Sequence, residues 1–404
     1  MIIHKSVGSV PAPRLLITMS WGIGDAIDIG LSAVDQITRN DPDGRATIDM
    51  LCNHRQAPLF EHDPRIHEII AIEHQLLPTA EQGTWKRGLF LPRETRQLVT
   101  SLRNRKYTAT LPVFFGPGFF YHLHTPVLLP DTQQLRQAIR RLRFFQDTSL
   151  QQLIRHTINR GFGGQLSEAE VDEPIPLYLS PEHLQQARQQ IARRKTLAGL
   201  PHNHHPWLLV APDTSSHITR PPTALLAQGI AGALQAQANL FVDILPGYTD
   251  VQAASRLWHA LAPHFPGRVF LMPAEPQMHL LELAAFIDQS DIFLTGDTST
   301  MHLAAAVKTL APSARSNVCP RNANAIIALF GGTHPGLHGY SKRTTIIGKG
   351  RKDQFAFTPG IIKETYHART RNFFDHISAH QLTDAILVQH MASKPSFAPL
   401  HTPV

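Results

Sequence analysis

The chain has 404 residues, a length of about two ordinary domains, and 42% of them are hydrophobic against 17% charged. No apolar run approaches the ~20 residues that a membrane span requires, and the two cysteines, Cys52 and Cys319, lie too far apart for a CxxC or a disulfide-built scaffold. A net charge of +7 points to acidic partners, although for most of the basic residues the plainer reading is that they solvate helices.

In chain order, strand and helix signals alternate as in an open α/β sheet. The start, "MIIHKSVGSVPAPRLLITMSW", lacks a continuous apolar segment followed by a small-residue cleavage site, so the expected location is the cytoplasm. "RLLITMS" (14–20) reads as a first strand and "GIGDAIDIGLSAVDQITRN" as a turn entering a helix. Strands follow at 45–53, 66–73 and 107–116, then a basic helical stretch over 131–160. The helix at 180–199 has Ser180 as N-cap, Pro181 at its first position, Glu182 behind it and Gly199 at its end. After the loop "LPHNHHP" (200–206), strands are expected at 207–212, 239–247, 267–273, 291–296 and 325–331. The halves divide near residue 200, giving domains 1–200 and 201–374 and a last helix, about 375–391, that could cross back to the first domain. Two such Rossmann-like domains facing each other across a cleft would bind ligands at the carboxyl ends of their strands.

Three strand–helix corners carry chemistry. In "FLTGDTSTMHLAAAV" (293–307) a strand ends at Gly296 and an Ala-rich helix begins. The unpaired N–H groups of a helix start suit a phosphate or diphosphate, and Thr298, Ser299 and Thr300 add hydroxyls. Asp297 repels phosphate and is better matched to sugar hydroxyls; plain N-capping is the equal alternative. "MSWGIGDAIDIG" (19–30) lacks the third glycine of a dinucleotide fingerprint; its two glycines instead permit a tight turn presenting Asp25, a candidate general base. "APDTSSHITRPP" (211–222) offers Thr214, Ser215, Ser216 and Arg220 to grip a diphosphate.

Three other signals carry less. "NDPDG" (40–44) spells a DxD but reads as a surface turn through Pro42 and Gly44. "HNHH" (202–205) sits in a Pro-flanked linker. Arg136, Arg140, Arg141 and Arg143 lie opposite Leu135, Ile139 and Leu142 at helical spacing. That is an amphipathic helix with a solvated face, and secondarily a surface for an anionic membrane or acceptor.

Together these corners resemble glycosyltransferase family 9, the ADP-heptose:lipopolysaccharide heptosyltransferases, over most of residues 14 to 390. "LAAFIDQSDIFLTGDTSTMHLAAAV" (283–307) is similar to the family's D-T-G-x-x-H turn in its helix–strand–turn–helix setting. "ALFGGTHP" (328–335) is similar to A-L-F-G-x-T-x-P, "HDPRIHEIIAI" (62–72) to H-P-x-I-D-E-V-I, and "GIGDAI" to G-x-G-D. The resemblance implies an α/β fold of the GT-B type and inverting transfer without a metal or cofactor. It puts Asp25 on the catalytic base, Asp297, Thr298, Ser299 and His302 on the donor-binding turn, and Met278 on an apolar contact to the nucleotide. It implies a nucleotide sugar, ADP-linked, as donor, and a glycan, protein or small-molecule acceptor, with no nucleic acid.

Four departures stand out. Ser299 replaces the family's usual Gly. The family's Lys falls on Thr219, leaving Arg220 as the cation. Its Glu is nearest Asp250, and residues 308–324 form an insertion. Two other classes are compatible with the sequence: a dinucleotide-dependent oxidoreductase, which the missing third glycine disfavours, and a non-catalytic sugar-nucleotide binder.

Overall fold

The computed structural model describes residues 12–19, 22–73, 93–113, 158, 175–197, 199, 206–214, 216, 218–247, 250–273, 278–308, 325–333, 335, 344–348 and 372–392. Of the expected features, the basic helix at 131–160, apart from Ile158, the "HNHH" stretch, residues 309–324 of the insertion and Ser215 lie outside these residues.

The chain divides into two compact units, the first ending at Ser180 and the second opening at Pro181. In the first, β1 (Arg14–Met19), β2 (Thr47–Asn53), β3 (Glu68–Ile72) and β4 (Ala109–Val113) form an all-parallel sheet in the order β3-β2-β1-β4. The helical segment after β1 runs from α1 (Ile23–Asp25) through a π-helical turn (Ala26–Leu31) into α2 (Ser32–Asn40), and α3 (Arg93–Asn104) precedes β4. Apolar runs such as "RLLITM" are buried nearly end to end, as expected of parallel strands covered on both faces. "NDPDG" is the turn the sequence implied: Gly44 sits at φ +62°, and the Asp41 carboxylate accepts the Ala46 N–H.

The second unit holds a six-stranded parallel sheet in the order β10-β9-β8-β5-β6-β7, built from β5 (Trp207–Ala211), β6 (Phe241–Ile244), β7 (Val269–Leu271), β8 (Ile292–Gly296), β9 (Ile326–Leu329) and β10 (Thr344–Ile347). Its helices are α4 (Pro181–Leu197), α5 (Thr223–Ala236), α6 (Val251–Leu261), α7 (Leu280–Gln289), α8 (Ser299–Lys308) and α9 (Ala379–Ala392). Trp207 anchors the core, stacked on Phe241 with centroids 6.1 Å apart and edge-on to Phe286 at 4.9 Å.

Two boundaries differ from the sequence reading. The division falls before α4 and not near residue 200, because α4 is tied to the second unit: Arg194 Nε donates to Asp243 Oδ2 at 2.9 Å and Arg188 Nε to Gln289 Oε1 at 3.3 Å. The last helix, α9, packs on α5 of the same second unit. Gly229 and Gly232 make room for it: a methyl group on either would lie 2.6 Å from Leu382 or Thr383. Thr383 Oγ1 then donates to the Gly229 carbonyl at 2.9 Å.

Candidate active site

In both sheets the first strand has neighbours on either side that are reached in opposite directions along the chain. This reversal lies between β1 and β4 in the first unit and between β5 and β8 in the second. Ligands of parallel α/β sheets bind outside the carboxyl ends of the strands at this place, where flanking loops diverge to opposite faces. The sequence-derived corners occupy these positions: Gly22–Asp25 follows β1, Thr214–Arg220 follows β5, and Asp297–His302 follows β8.

The last two meet directly. A methyl group on Gly296 would come within 2.6 Å of the Thr219 carbonyl oxygen, 3.0 Å of Pro221 Cδ and 3.1 Å of Thr214 Cγ2. Only glycine lets β8 end so close to the β5 loop. The loop is braced from within, Thr214 Oγ1 donating to the Ser216 carbonyl at 2.7 Å and Thr219 Oγ1 to Thr214 Oγ1 at 3.0 Å. Gly332, after β9, donates its N–H to the Ile218 carbonyl at 2.9 Å. Thr214 is therefore buried in the loop's own hydrogen bonding and serves chiefly to shape it.

Past Gly296, Asp297 and Thr298 form the turn and Ser299 opens α8. The Thr298 carbonyl accepts the Met301 N–H at 3.0 Å and the His302 N–H at 3.4 Å. The N–H groups of the residues before Met301 precede the first intrahelical bonds, so they and the helix dipole make the end electropositive. Asp297, Thr298, Ser299 and Thr300 are half-buried, whereas His302 is 6% exposed. Thr295 and Thr300 share a hydroxyl–hydroxyl bond of 3.1 Å that ties strand to helix. Met278 is half-buried just before α7.

Arg220 is held in a set of charges that the sequence reading did not anticipate. Its Nη2 donates to the Thr214 carbonyl at 2.8 Å and lies 3.1 Å from Asp213 Oδ1; its Nη1 lies 3.3 Å from Asp250 Oδ2. Asp250 also takes Arg256 Nη2 at 2.6 Å and caps α6 by accepting the Gln252 N–H at 3.1 Å. The Arg256 hydrogen bond, then the charges of Arg256 and Arg220, hold the Asp250 carboxyl below the usual carboxylate range. Asp213 accepts the Asp250 N–H at 3.1 Å. Arg220 is thus a pre-set cation whose charge two carboxylates partly offset. Asp213 escaped notice because a lone Asp after a strand is ordinary; its partners lie 7 to 37 residues away.

In the first unit Asp25 is half-buried and its Oδ2 accepts the Gly22 N–H at 3.0 Å. The π-helical turn begins at the next residue; such wide turns frequently occur at functional sites.

Among the described residues, Asp49, His67 and Glu68 form one group with metal-ligand chemistry. It belongs to the opposite, amino edge of the first sheet, where Arg14 and Glu68 open their strands. Arg14 Nη2 sits 2.7 Å from Asp49 Oδ2, Tyr107 donates its hydroxyl to the same oxygen at 2.8 Å, and Arg105 pairs with Glu68. Two guanidiniums already neutralise these carboxylates, which makes the group a structural clamp.

Residues 261–366, which include Met278 and the Asp297–His302 corner, match the model of glycosyltransferase family 9 (heptosyltransferase). No curated protein matches the chain in sequence. Among solved structures, the glycosyl transferase family 9 protein from Veillonella parvula DSM 2008 is similar at a TM-score of 0.66 and 13% identity, over 96% of this chain and 100% of its own. E. coli ADP-heptose LPS heptosyltransferase II follows at 0.55 and 17%, over 88% and 98%. The E. coli heptosyltransferase WaaC, solved with ADP, gives 0.52 and 14%, over 88% and 100%. At these identities the structures speak for the fold, two Rossmann-like units of the GT-B type. No helix among the described residues is long and apolar enough to cross a membrane. With the family match over residues 261–366 and this fold over nearly its whole length, the chain resembles glycosyltransferase family 9 and is a glycosyltransferase.

Proposed function

We propose that the chain is an inverting, metal-independent transferase that moves a heptose from ADP-heptose to a hydroxyl of a lipopolysaccharide core. The observation that carries this reading is the meeting of the Asp297–Ser299 turn with the Thr214–Arg220 loop at Gly296. It sets an electropositive helix end, a tethered cation and a carboxylate at the ligand-binding edge of one sheet. The first-turn N–H groups of α8 and Arg220 take the diphosphate. Asp213 and Asp250 hold Arg220 in place, and Asp297 accepts bonds from the sugar's hydroxyls. Met278 lies against the nucleotide base. His302, buried one turn into α8, adds a donor beneath the phosphates. A basic chain of net charge +7 suits a cytoplasmic enzyme in peripheral contact with an anionic membrane face, where a lipid-linked acceptor resides.

The reaction is a single displacement. Asp25 removes the acceptor hydroxyl proton as that oxygen attacks the anomeric carbon. The bond from that carbon to the diphosphate oxygen breaks, and ADP leaves with the bonding pair. Charge developing on the leaving phosphate is met by pre-aimed N–H groups and Arg220, which perform the role a metal performs elsewhere. Transfer therefore continues at its full rate in excess EDTA. A loss on chelation that Mg²⁺ or Mn²⁺ restores would contradict the metal-independent step.

Asp297 separates the sugar from the nucleotide. A hydrogen bond to a charged group contributes ~1.5–3 kcal/mol, so Asp297→Ala weakens ADP-heptose binding about tenfold or more while ADP binds within twofold of wild type. Calorimetry with both ligands is the test. Equal weakening would mean that the carboxylate only caps α8, and no binding of either ligand to the wild type would end the ADP-heptose assignment.

A further inference from the structure

We propose that Gln56 is a positioning residue for Asp25, acting through Gly22; the inference rests on Asp25 being the base. Gln56 is fully buried, at 0% exposure, in the loop after β2. Its Nε2 donates to the Gly22 carbonyl at 3.1 Å and its Oε1 accepts the Asn53 N–H at 3.2 Å, so both ends of the amide are engaged. Asn53, the last residue of β2, returns the favour through its side chain: Oδ1 accepts the N–H groups of Arg55 and Gln56, each at 3.0 Å. That turn points the Gln56 side chain back at the neighbouring strand's end.

Gly22 is the residue on which Asp25 depends. Its N–H donates to Asp25 Oδ2 at 3.0 Å, and its carbonyl also accepts the Ala26 N–H at 3.1 Å. Gly22 is exposed, and glycine has the widest backbone freedom of any residue. Nothing in its own side chain fixes the direction of that N–H or the start of the helix carrying Asp25. The bond from Gln56 supplies this constraint from a buried turn just past the end of β2. Misplacement of a reacting group by about 1 Å can cost 10²-fold. The donated hydrogen of Gln56 therefore acts on turnover without touching the substrates.

Gln56→Glu, assayed at the alkaline end of the activity range where the buried carboxyl is ionised, isolates that hydrogen, since it keeps the volume and the acceptor for Asn53 but has no donor for Gly22. Gln56→Met removes both. With ADP-heptose and a core-truncated lipopolysaccharide, kcat falls about tenfold or more in each, while KM for ADP-heptose stays within twofold. Amide exchange quickens over residues 22–31 and is unchanged over 93–104. Wild-type kcat with unchanged exchange at 22–31 overturns the proposal. So does exchange that quickens equally over 93–104, or a failure of both variants to fold, because either makes Gln56 a general structural residue. Asp25→Asn, run alongside, keeps the two claims apart. If it turns over normally, the base assignment fails, and the local exchange still decides whether Gln56 holds the turn.

Discussion

Asp25→Asn lowers kcat for transfer from ADP-heptose by 10²–10⁴-fold, the usual contribution of a positioned general base, and leaves the dissociation constant for ADP-heptose within about twofold of wild type. The asymmetry follows from where the residue sits. Asp25 lies in the first helical turn after β1 in the first unit, whereas the proposed diphosphate and sugar contacts all come from residues of the second. Asparagine keeps the side-chain shape and one oxygen for the Gly22 N–H, so the turn persists and only proton uptake is lost. Stopped assays of ADP release, paired with calorimetric binding, measure both quantities. Turnover above a tenth of wild type would remove Asp25 from the base role, and a matching loss of donor affinity would make it a binding or structural group. The same pair of measurements distinguishes an enzyme from a sugar-nucleotide binder, since a binder retains affinity and shows no turnover in the wild type.

The second large effect is on stability. Arg194→Ala destabilises the protein by about 3–5 kcal/mol, the cost of leaving a buried charge without its partner. Asp243 is 0% exposed in the middle of β6 and accepts from two guanidinium nitrogens of Arg194, Nε and Nη2, from α4. Burial raises the Asp243 carboxyl above its ordinary range, and Arg194 offsets that rise only in part. Because the folded-state value is raised, the folded protein holds this proton where the unfolded chain has released it. Stability therefore falls as pH rises from the ordinary carboxylate range through the raised folded value. Without Arg194 that window extends further toward neutral pH, so the variant is destabilised less at pH 5 than at pH 8. Urea unfolding at the two pH values provides the test. A deficit equal at both would show that lost packing by the arginine stem, and not the charge, is responsible. Replacing both partners, Arg194→Ala with Asp243→Leu, should recover most of the loss.

The alternation of strands and helices was legible because apolar runs bounded by glycine and polar turns are local signals. β8 and α8 are the clearest case: "IFLTG" is buried throughout, and the chain enters its helix three residues after Gly296. The corners to which catalysis and donor binding are assigned as a proposal were legible as local structure for the same reason, as each is a strand end, a small-residue turn and a helix start within about a dozen residues. The place of α4 was not. Its capping signals at Ser180, Pro181 and Gly199 marked the helix correctly, but caps say nothing about the sheet on which a helix packs. That was decided by Arg194 meeting Asp243, 49 residues away. α9 was similarly undetermined, since Gly229 and Gly232 look like ordinary helix interruptions until Leu382 and Thr383 come to lie on them.

The sequence by itself determined which residues are candidates for the proposed chemistry: a carboxylate after β1, small hydroxyls and a cation after β5, and a carboxylate at the head of α8. Side-chain type and turn propensity are properties of a few adjacent residues, so they survive without a fold. Only the tertiary structure decided what those residues face. The parallel pairing of β5 with β8 brings Thr214 and Thr219 against Gly296. The ordering of β5 beside β6 puts Asp213 and Asp250 on Arg220, turning a free cation into a held and partly neutralised one. Such contacts join residues separated by tens of positions, and they depend on strand order, which no local pattern encodes.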